Sequence, residues 1–273
     1  MSLTGWTLPQ TPSGKASILP APPWHYSGEV IAVDYCAHPD AVSRFVPPGF
    51  EPVGDGSCSF VFCDWSSAAD NDPRIKGDPA RGQYKEAYLV IHGTFADKRA
   101  GRVPFIYVDS ELSMVRGLIQ GFPKKLGSIH MTRPVELGRG GARKALGERF
   151  RGHVSAHGRR AVDLTVTIDE AREKTYPKGV AAPLVHTRLW PSIDRTEPAV
   201  HELQRGTIEG FQLGTVWHGS VELEIGNPEH DEINDLAPIA VGDGWVMSMA
   251  FSVTGGSVEQ IGGTTESDAE SQP

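Results

Sequence analysis

The sequence is poor in the features that would place it in several large classes of protein. Only three of its 273 residues are cysteine, Cys36, Cys58 and Cys63, an odd count at spacings that fit neither a disulfide framework nor a zinc site. Thiols of this kind are expected to be buried and reduced, in a cytoplasmic protein. No apolar run is long enough to span a bilayer, and Met1 to Lys15 mixes Thr, Pro, Gly and Ser without the apolar segment of an export signal. Positive charge is also in deficit. Against 34 Asp and Glu stand 26 Lys and Arg, a formal net charge of -8, which argues against nucleic acid or an anionic membrane as a partner. An acidic substrate would need a locally basic pocket.

Common chemical motifs are missing too. The ten histidines show neither His-x-His nor His-Glu-x-x-His spacing, so neither a metal site nor a metal cofactor is expected. There is no Gly-x-Ser-x-Gly elbow of a serine hydrolase. The cluster Gly138-Arg139-Gly140-Gly141 lies between two strand-like segments rather than between a strand and a helix. It reads as a hairpin turn, not a phosphate cradle.

What is present is a mainly β pattern: short, β-branched segments bounded by Gly, Pro or Asp. Strands are expected over Glu29–Cys36, Ser57–Trp65, Tyr84–Phe95, Val103–Val108, Gly127–Arg133, Leu146–Ala156, Arg160–Ile168, Val185–Trp190, Leu213–Leu223 and Gly244–Val253. Two helices are expected. One runs from Pro39 to Val46 and is stopped by Pro47-Pro48; the other runs from Ser110 to Ile119, with Leu112, Val115 and Ile119 on one face. So many strands with so few helices predict an α+β chain dominated by a closed or nearly closed barrel, which removes exposed edges. Length and the absence of repeats predict one domain, residues 23–253, after an N-terminal extension, 1–22, and before a disordered tail, 254–273. The polar stretch Ser66 to Gln83 reads either as a lid or as an ordinary long loop.

One run carries the chemistry: Gly121-Phe122-Pro123-Lys124-Lys125-Leu126-Gly127. Each of two adjacent ammonium groups makes the other harder to protonate, and burial would disfavour the charge further. A lysine brought to a pKa of roughly 7 to 8 is a usable amine nucleophile, able to form an imine with a ketone or an oxo acid. The competing reading is a solvated turn. In Tyr84-Lys85-Glu86-Ala87-Tyr88, period-two alternation puts Tyr84, Glu86 and Tyr88 on one strand face. That face either lines a cavity, with a carboxyl between two phenols, or leaves Glu86 in solvent. Arg116, near the end of the second helix, reads either as charge for a substrate carboxylate or as an exposed helical arginine. Phe60, Phe62, Phe122 and Trp245 suit a cavity lining or plain core.

With these residues the chain resembles the acetoacetate decarboxylase-like superfamily. Pro123-Lys124-Lys125-Leu126-Gly127 is similar to that family's imine-forming lysine and its neighbour. The stretch Glu29 to Glu51 with its Val46-Pro47-Pro48 break resembles the N-terminal part, and Ile233-Asn234-Asp235-Leu236-Ala237-Pro238 a segment near the C-terminus. The resemblance implies a β-barrel or cone, a homo-oligomer (a tetramer or larger), and Lys124 as the Schiff-base residue with Lys125 keeping it neutral. Activation of a lysine by burial or a neighbouring cation is a known property of acetoacetate decarboxylase. Glu86 would match a pocket glutamate.

Decarboxylases of this family carry an arginine early in the first strand and a second acid on the next. Here the matching places are Gly28 and Phe60-Val61. Gln120 and Tyr84 instead resemble the pattern of members that handle 2-oxo acids such as pyruvate. The expectation is therefore a lyase that condenses pyruvate, through an imine on Lys124, with an aldehyde and dehydrates the adduct, or runs the reverse. Glu86 and Tyr84 would serve as acid and base, and Gln120 and Arg116 would bind substrate. The alternatives are a decarboxylase of acetoacetate or a related β-keto acid, and a non-catalytic binding barrel.

Overall fold

The computed structural model describes residues 2–172, 175–181, 183–194, 196–229 and 231–260. In chain order the strands are β1 (Trp24–Ala37), β2 (Phe50–Pro52), β3 (Ser57–Ala69), β4 (Gln83–Phe95), β5 (Lys98–Arg102), β6 (Ile106–Val108) and β7 (Lys124–Leu126). They continue with β8 (Ser128–Met131), β9 (Arg149–Ala156), β10 (Arg159–Arg172), β11 (Val185–Trp190), β12 (Val200–Leu213), β13 (Val216–Ile225) and β14 (Pro238–Gln260). The helices are short: α1 (Pro39–Ser43), α2 (Pro79–Gly82), α3 (Glu111–Gln120) and α4 (Lys178–Ala181). The fold is mainly β with few helices, as the sequence pattern predicts.

All strands belong to one sheet, whose main path runs β7-β6-β4-β3-β1-β14-β13-β10-β9-β8. Closure takes a different form from the expected barrel. The sheet is not a closed ladder, because its end strands β7 and β8 do not pair with each other. They are successive halves of one segment, joined by Gly127, whose N–H donates to the Val108 carbonyl at 2.9 Å. One half pairs in parallel with β6, the other antiparallel with β9. The sheet must curl for this single segment to meet both ends.

Strand alternation divides the core in two. Ile31, Val33, Phe60, Phe62, Leu89 and Ile91 join residues from β8, β9, β10 and β13 in one cluster, gathered from strands all along the curl. The intervening residues, Val30, Ala32, Val61, Cys63, Tyr84 and Tyr88, form a second cluster on the other face. Both faces of β1, β3 and β4 are therefore buried. Cys58 and Cys63 are buried free thiols, and Cys36 is also free.

Several boundaries differ from expectation for identifiable reasons. Of the predicted strand Val103–Val108 only Ile106–Val108, β6, is strand; β5 ends before it at Arg102, and Pro104 between them has no N–H to give. Leu146 is exposed and β9 begins only at Arg149. Residues 255–260, placed in the disordered tail, continue β14 and pair with β12, while 261–273 lie outside the described residues. The segment Ser66 to Gln83 is mostly ordered structure: β3 runs through Ala69, and buried Asp72 holds Arg74 and Arg81 at 2.7 and 3.1 Å. Gly138–Gly141 lie in a long loop between β8 and β9, with no strand directly on either side as a hairpin would need, and Val135 N–H donates to Ala142 O at 2.9 Å across it. Among the described residues no helix is long and apolar enough to cross a membrane.

Helix α3 is where expected, with Ser110 as its N-cap and Gly121 in the left-handed conformation (φ +83°) at its end. Its inward face is not the predicted apolar stripe. Leu112 is buried, but beside it lie Ser113, Arg116 and Gly117, while Val115 and Ile119 are only half-buried. A helix that turns polar and small residues inward is covering something other than plain core.

Candidate active site

Lys124 opens β7, opposite Ile106 of β6, rather than lying in a loop. Strand geometry then sends Lys124 and Lys125 to opposite faces. The Lys124 side chain passes under α3 and is 5% exposed. Its ammonium lies 2.6 Å from Glu86 Oε2 and 2.9 Å from Ser113 Oγ. The rings of Phe122 and Tyr84 stand 5.5 and 5.8 Å away. Gly117 provides the passage for the stem: a methyl group on it would lie 2.4 Å from Lys124 Cδ and 2.6 Å from Cγ.

Burial pulls the Lys124 amine below its ordinary value, and the guanidinium of Arg116 pushes in the same direction, while the Glu86 carboxylate opposes both. The expected pressure from Lys125 comes from Arg116 instead. Lys125 is 42% exposed, bonded at 3.2 Å to buried Asp231, which also accepts from the Tyr107 hydroxyl at 2.7 Å. Arg116 is not the exposed helical arginine of the alternative reading. It is 1% exposed, donates to the Tyr26 hydroxyl at 3.1 Å, and lies over the rings of Trp24 and Tyr26 at 5.3 and 5.2 Å. Its Nε and second amino group have no hydrogen-bond partner among the described residues.

Lys124 faces a cavity that Tyr84, Glu86 and Tyr88 line together, as strand alternation predicts. This cavity is on the opposite face of the sheet from the larger core cluster, beneath α3, with β12 and β14 at its rim. Gln120 also lines it, and the Gln120 amide donates to the Arg116 carbonyl at 3.4 Å. Tyr84 is held protonated well above its ordinary value by burial and by the Glu86 charge. Phe122 lines the cavity, whereas Phe60, Phe62 and Trp245 are core. Asp and Glu side chains around Lys124 reduce to Glu86 in this lining, and an aromatic group of Tyr26, Trp65 and Phe251, with ring centroids 5.0 to 5.9 Å apart, forms another wall.

Sequence reasoning missed Ser113, Tyr26, His186 and Gln204, all of which contact the lysine or line its cavity. Ser113 had one usable signal, its place one turn before Gly117 on the helix leading to the lysine. His186 and Gln204 had none, since β11 and β12 reach the site only through the fold.

A desolvated amine beside one carboxylate, in an aromatic cavity, can act as a nucleophile toward a carbonyl carbon and hand protons to and from the same carboxylate. The acetoacetate decarboxylase (ADC) family model matches residues 7–260. No curated protein sequence matches the chain. Among solved structures, the enduracididine biosynthesis enzyme MppR complexed with the condensation product of pyruvate and imidazole 4-carboxaldehyde is 37% identical. The alignment covers 95% of this chain and 98% of that one, with a TM-score of 0.89. MppR complexed with pyruvate gives 37% identity over 94% and 98% of the two chains and a TM-score of 0.88. An acetoacetate decarboxylase-like enzyme from Sphingomonas wittichii RW1 is 26% identical over 95% of this chain and all of its own, with a TM-score of 0.85. With the family pattern running through to residue 260 and these neighbours superposing along nearly their whole length, the chain belongs to the acetoacetate decarboxylase family.

Proposed function

We propose that this enzyme is a lyase that forms an imine between Lys124 and a 2-oxo acid such as pyruvate, condenses it with an aldehyde, and dehydrates the adduct, or runs that sequence in reverse. The observation that carries this reading is the buried Lys124 amine, drawn toward its neutral form, 2.6 Å from Glu86 in a cavity. Two complexes of the 37% identical MppR, with pyruvate and with a pyruvate–aldehyde condensation product, support the choice of substrates.

In the proposed mechanism the neutral amine attacks the ketone, and loss of water gives an iminium ion. Glu86 takes a proton from the adjacent methyl group, leaving an enamine whose carbon attacks the aldehyde. The proton returns to the new alkoxide. A second proton removal and loss of hydroxide as water give the conjugated imine, which water hydrolyses to the unsaturated 2-oxo acid and free Lys124. Tyr84, neutral and buried, donates a hydrogen bond near the reacting carbon. Gln120 binds the substrate carboxylate from the lining, and Arg116, one layer behind it, adds positive potential.

Gly28 supports this reading over decarboxylation. A Cβ there would lie 2.3 Å from the Asp64 carbonyl oxygen, so the place where related decarboxylases carry an arginine has no room for a side chain. Exposed Leu189, Trp190, Ile208 and Phe211 suit a homo-oligomer.

Borohydride trapping of the wild type and Lys124→Ala with pyruvate, and separately with acetoacetate, tests the proposal. A pyruvate adduct on Lys124 that the variant lacks is the expected result. Adduct with acetoacetate alone, accompanied by carbon dioxide release, would replace the aldolase reading by the decarboxylase. The absence of either adduct would leave a binding barrel.

A further inference from the structure

Two polar side chains in the cavity have no task in that mechanism. His186 on β11 and Gln204 on β12 stand directly opposite each other in an antiparallel ladder, which places their side chains on one face about 5 Å apart at Cβ. Both line the cavity that holds Lys124. His186 is 2% exposed, and neither of its ring nitrogens has a hydrogen-bond partner among the described residues. Gln204 Oε1 is likewise buried and unpartnered. Buried polar atoms without partners are rare because each forfeits its bonds to water. Three of them in one stretch of cavity wall fit a wall whose partner arrives with the substrate.

The imidazole is firmly placed. Its ring packs on Phe122, two residues before Lys124, with centroids 3.7 Å apart. Burial, with help from the positive charges of Arg102 and Lys124, holds it well below its ordinary value. At neutral pH the ring is therefore uncharged and offers one N–H donor and one acceptor. It is unsuited to receive the methyl proton, which leaves that task to Glu86, but well suited to polarise a carbonyl.

We propose that His186 is a catalytic residue of the carbon–carbon bond-forming step, donating its N–H to the carbonyl oxygen of the aldehyde, with Gln204 aligning the same group. The assignment rests on the imine reading of Lys124. As the enamine carbon bonds to the aldehyde carbon, the π pair of the C=O bond moves onto oxygen. That oxygen takes the proton Glu86 removed from the methyl group, and His186 keeps its own proton throughout. Its hydrogen bond strengthens as negative charge grows on the oxygen. The neutral donors here, together with the Tyr26, Trp65 and Phe251 rings, suit an uncharged planar aldehyde.

The test separates the two half-reactions in the full chain. Imine and enamine formation are followed without aldehyde, by borohydride trapping of pyruvate and by exchange of its methyl protons for deuterium. Condensation is followed by product formation with imidazole 4-carboxaldehyde and with benzaldehyde as probes. In His186→Ala, trapping and exchange are expected within about twofold of wild type, and condensation reduced about 10²-fold. His186→Gln, which retains a donor, should recover part of the loss, and Gln204→Met should show a smaller loss in condensation alone. Equal losses in exchange and condensation would overturn the proposal by making His186 a support for the lysine, and unchanged condensation would overturn it outright. So would a wild type that exchanges pyruvate protons but condenses neither aldehyde. A wild type that traps no pyruvate would instead remove the imine reading beneath it.

Discussion

Gly117 and Lys124 fit together as notch and stem: the helix that shelters the lysine lacks a side chain where the lysine passes, and a Cβ there would come within 2.6 Å of two of its methylene carbons. An alanine in mid-helix ordinarily favours the helix by up to about 1 kcal/mol over glycine. In Gly117→Ala the added methyl must push a buried stem, not a free chain end. The variant is expected to melt within a few degrees of wild type while pyruvate trapping slows by about 10- to 100-fold, because a shift of about 1 Å in a reacting group costs that much. A variant that traps at the wild-type rate would show that the stem has room to move.

Glu86 is assigned two separable jobs, and Glu86→Gln should split them. The carboxylate raises the Lys124 pKa, so its loss moves the acid limb of the trapping profile to lower pH while adduct still forms. Proton removal from the pyruvate methyl group should fall about 10²- to 10⁴-fold, the usual worth of a general base. Deuterium exchange measured beside trapping checks both, and exchange at the wild-type rate would move the base to another residue.

Away from the site, His92 sets an acid limit on stability. Burial, reinforced by Lys178 and Arg99, lowers it from 6.5 to about 4, and it bonds Ser59 Oγ at 2.7 Å through Nε2. The unfolded chain binds this proton more readily than the folded one between those values. The contribution is therefore complete above about pH 6.5 and is lost as pH falls toward 4, in total about 3 kcal/mol at roughly 1.4 kcal/mol per tenfold change. Asp34, raised by burial, works in the opposite direction and accepts from the same Ser59 hydroxyl, so the slopes with His92 and with His92→Gln are compared in an Asp34→Asn background, where that titration is absent. Denaturant unfolding across pH 7 to 4 should give the variant the flatter curve. Parallel curves would mean that the ring is charged in the folded state.

The parts of this site that the sequence makes legible are those set by local geometry. Alternation along β4 brings Tyr84, Glu86 and Tyr88 to one face because a strand leaves no other choice, and Ser110 marks the start of α3 through its side-chain oxygen. The parts that are hidden depend on contacts far apart in the chain. Residue type alone makes an arginine in a helix look exposed, and only the fold brings the Arg116 side chain across to Trp24 and Tyr26 of β1 and buries it there. β12 gives no strand signal from Thr207 to Gln212 because nearly every side chain there is exposed, so no alternation develops. The two lysines look alike in a run of letters. Only the pairing of β7 with β6 turns one inward and the other toward Asp231.

That division yields the sharpest test of what lowers the Lys124 pKa. Arg116 is buried and depresses the amine, so Arg116→Met should raise the pKa of Lys124 and move the acid limb of the trapping profile to higher pH, opposite to the shift in Glu86→Gln. Lys125 points to the other face, half in water, where charge is well screened. Lys125→Met should leave the limb where it is in wild type. That variant should instead lose stability, because Asp231, 2% exposed, keeps the Tyr107 hydroxyl but loses its cation. The measurements are trapping rate against pH and unfolding by denaturant for all three variants. A limb that moves in Lys125→Met and stays in Arg116→Met would return the electrostatic control to the adjacent lysine, and would require Lys125 to turn inward when substrate binds.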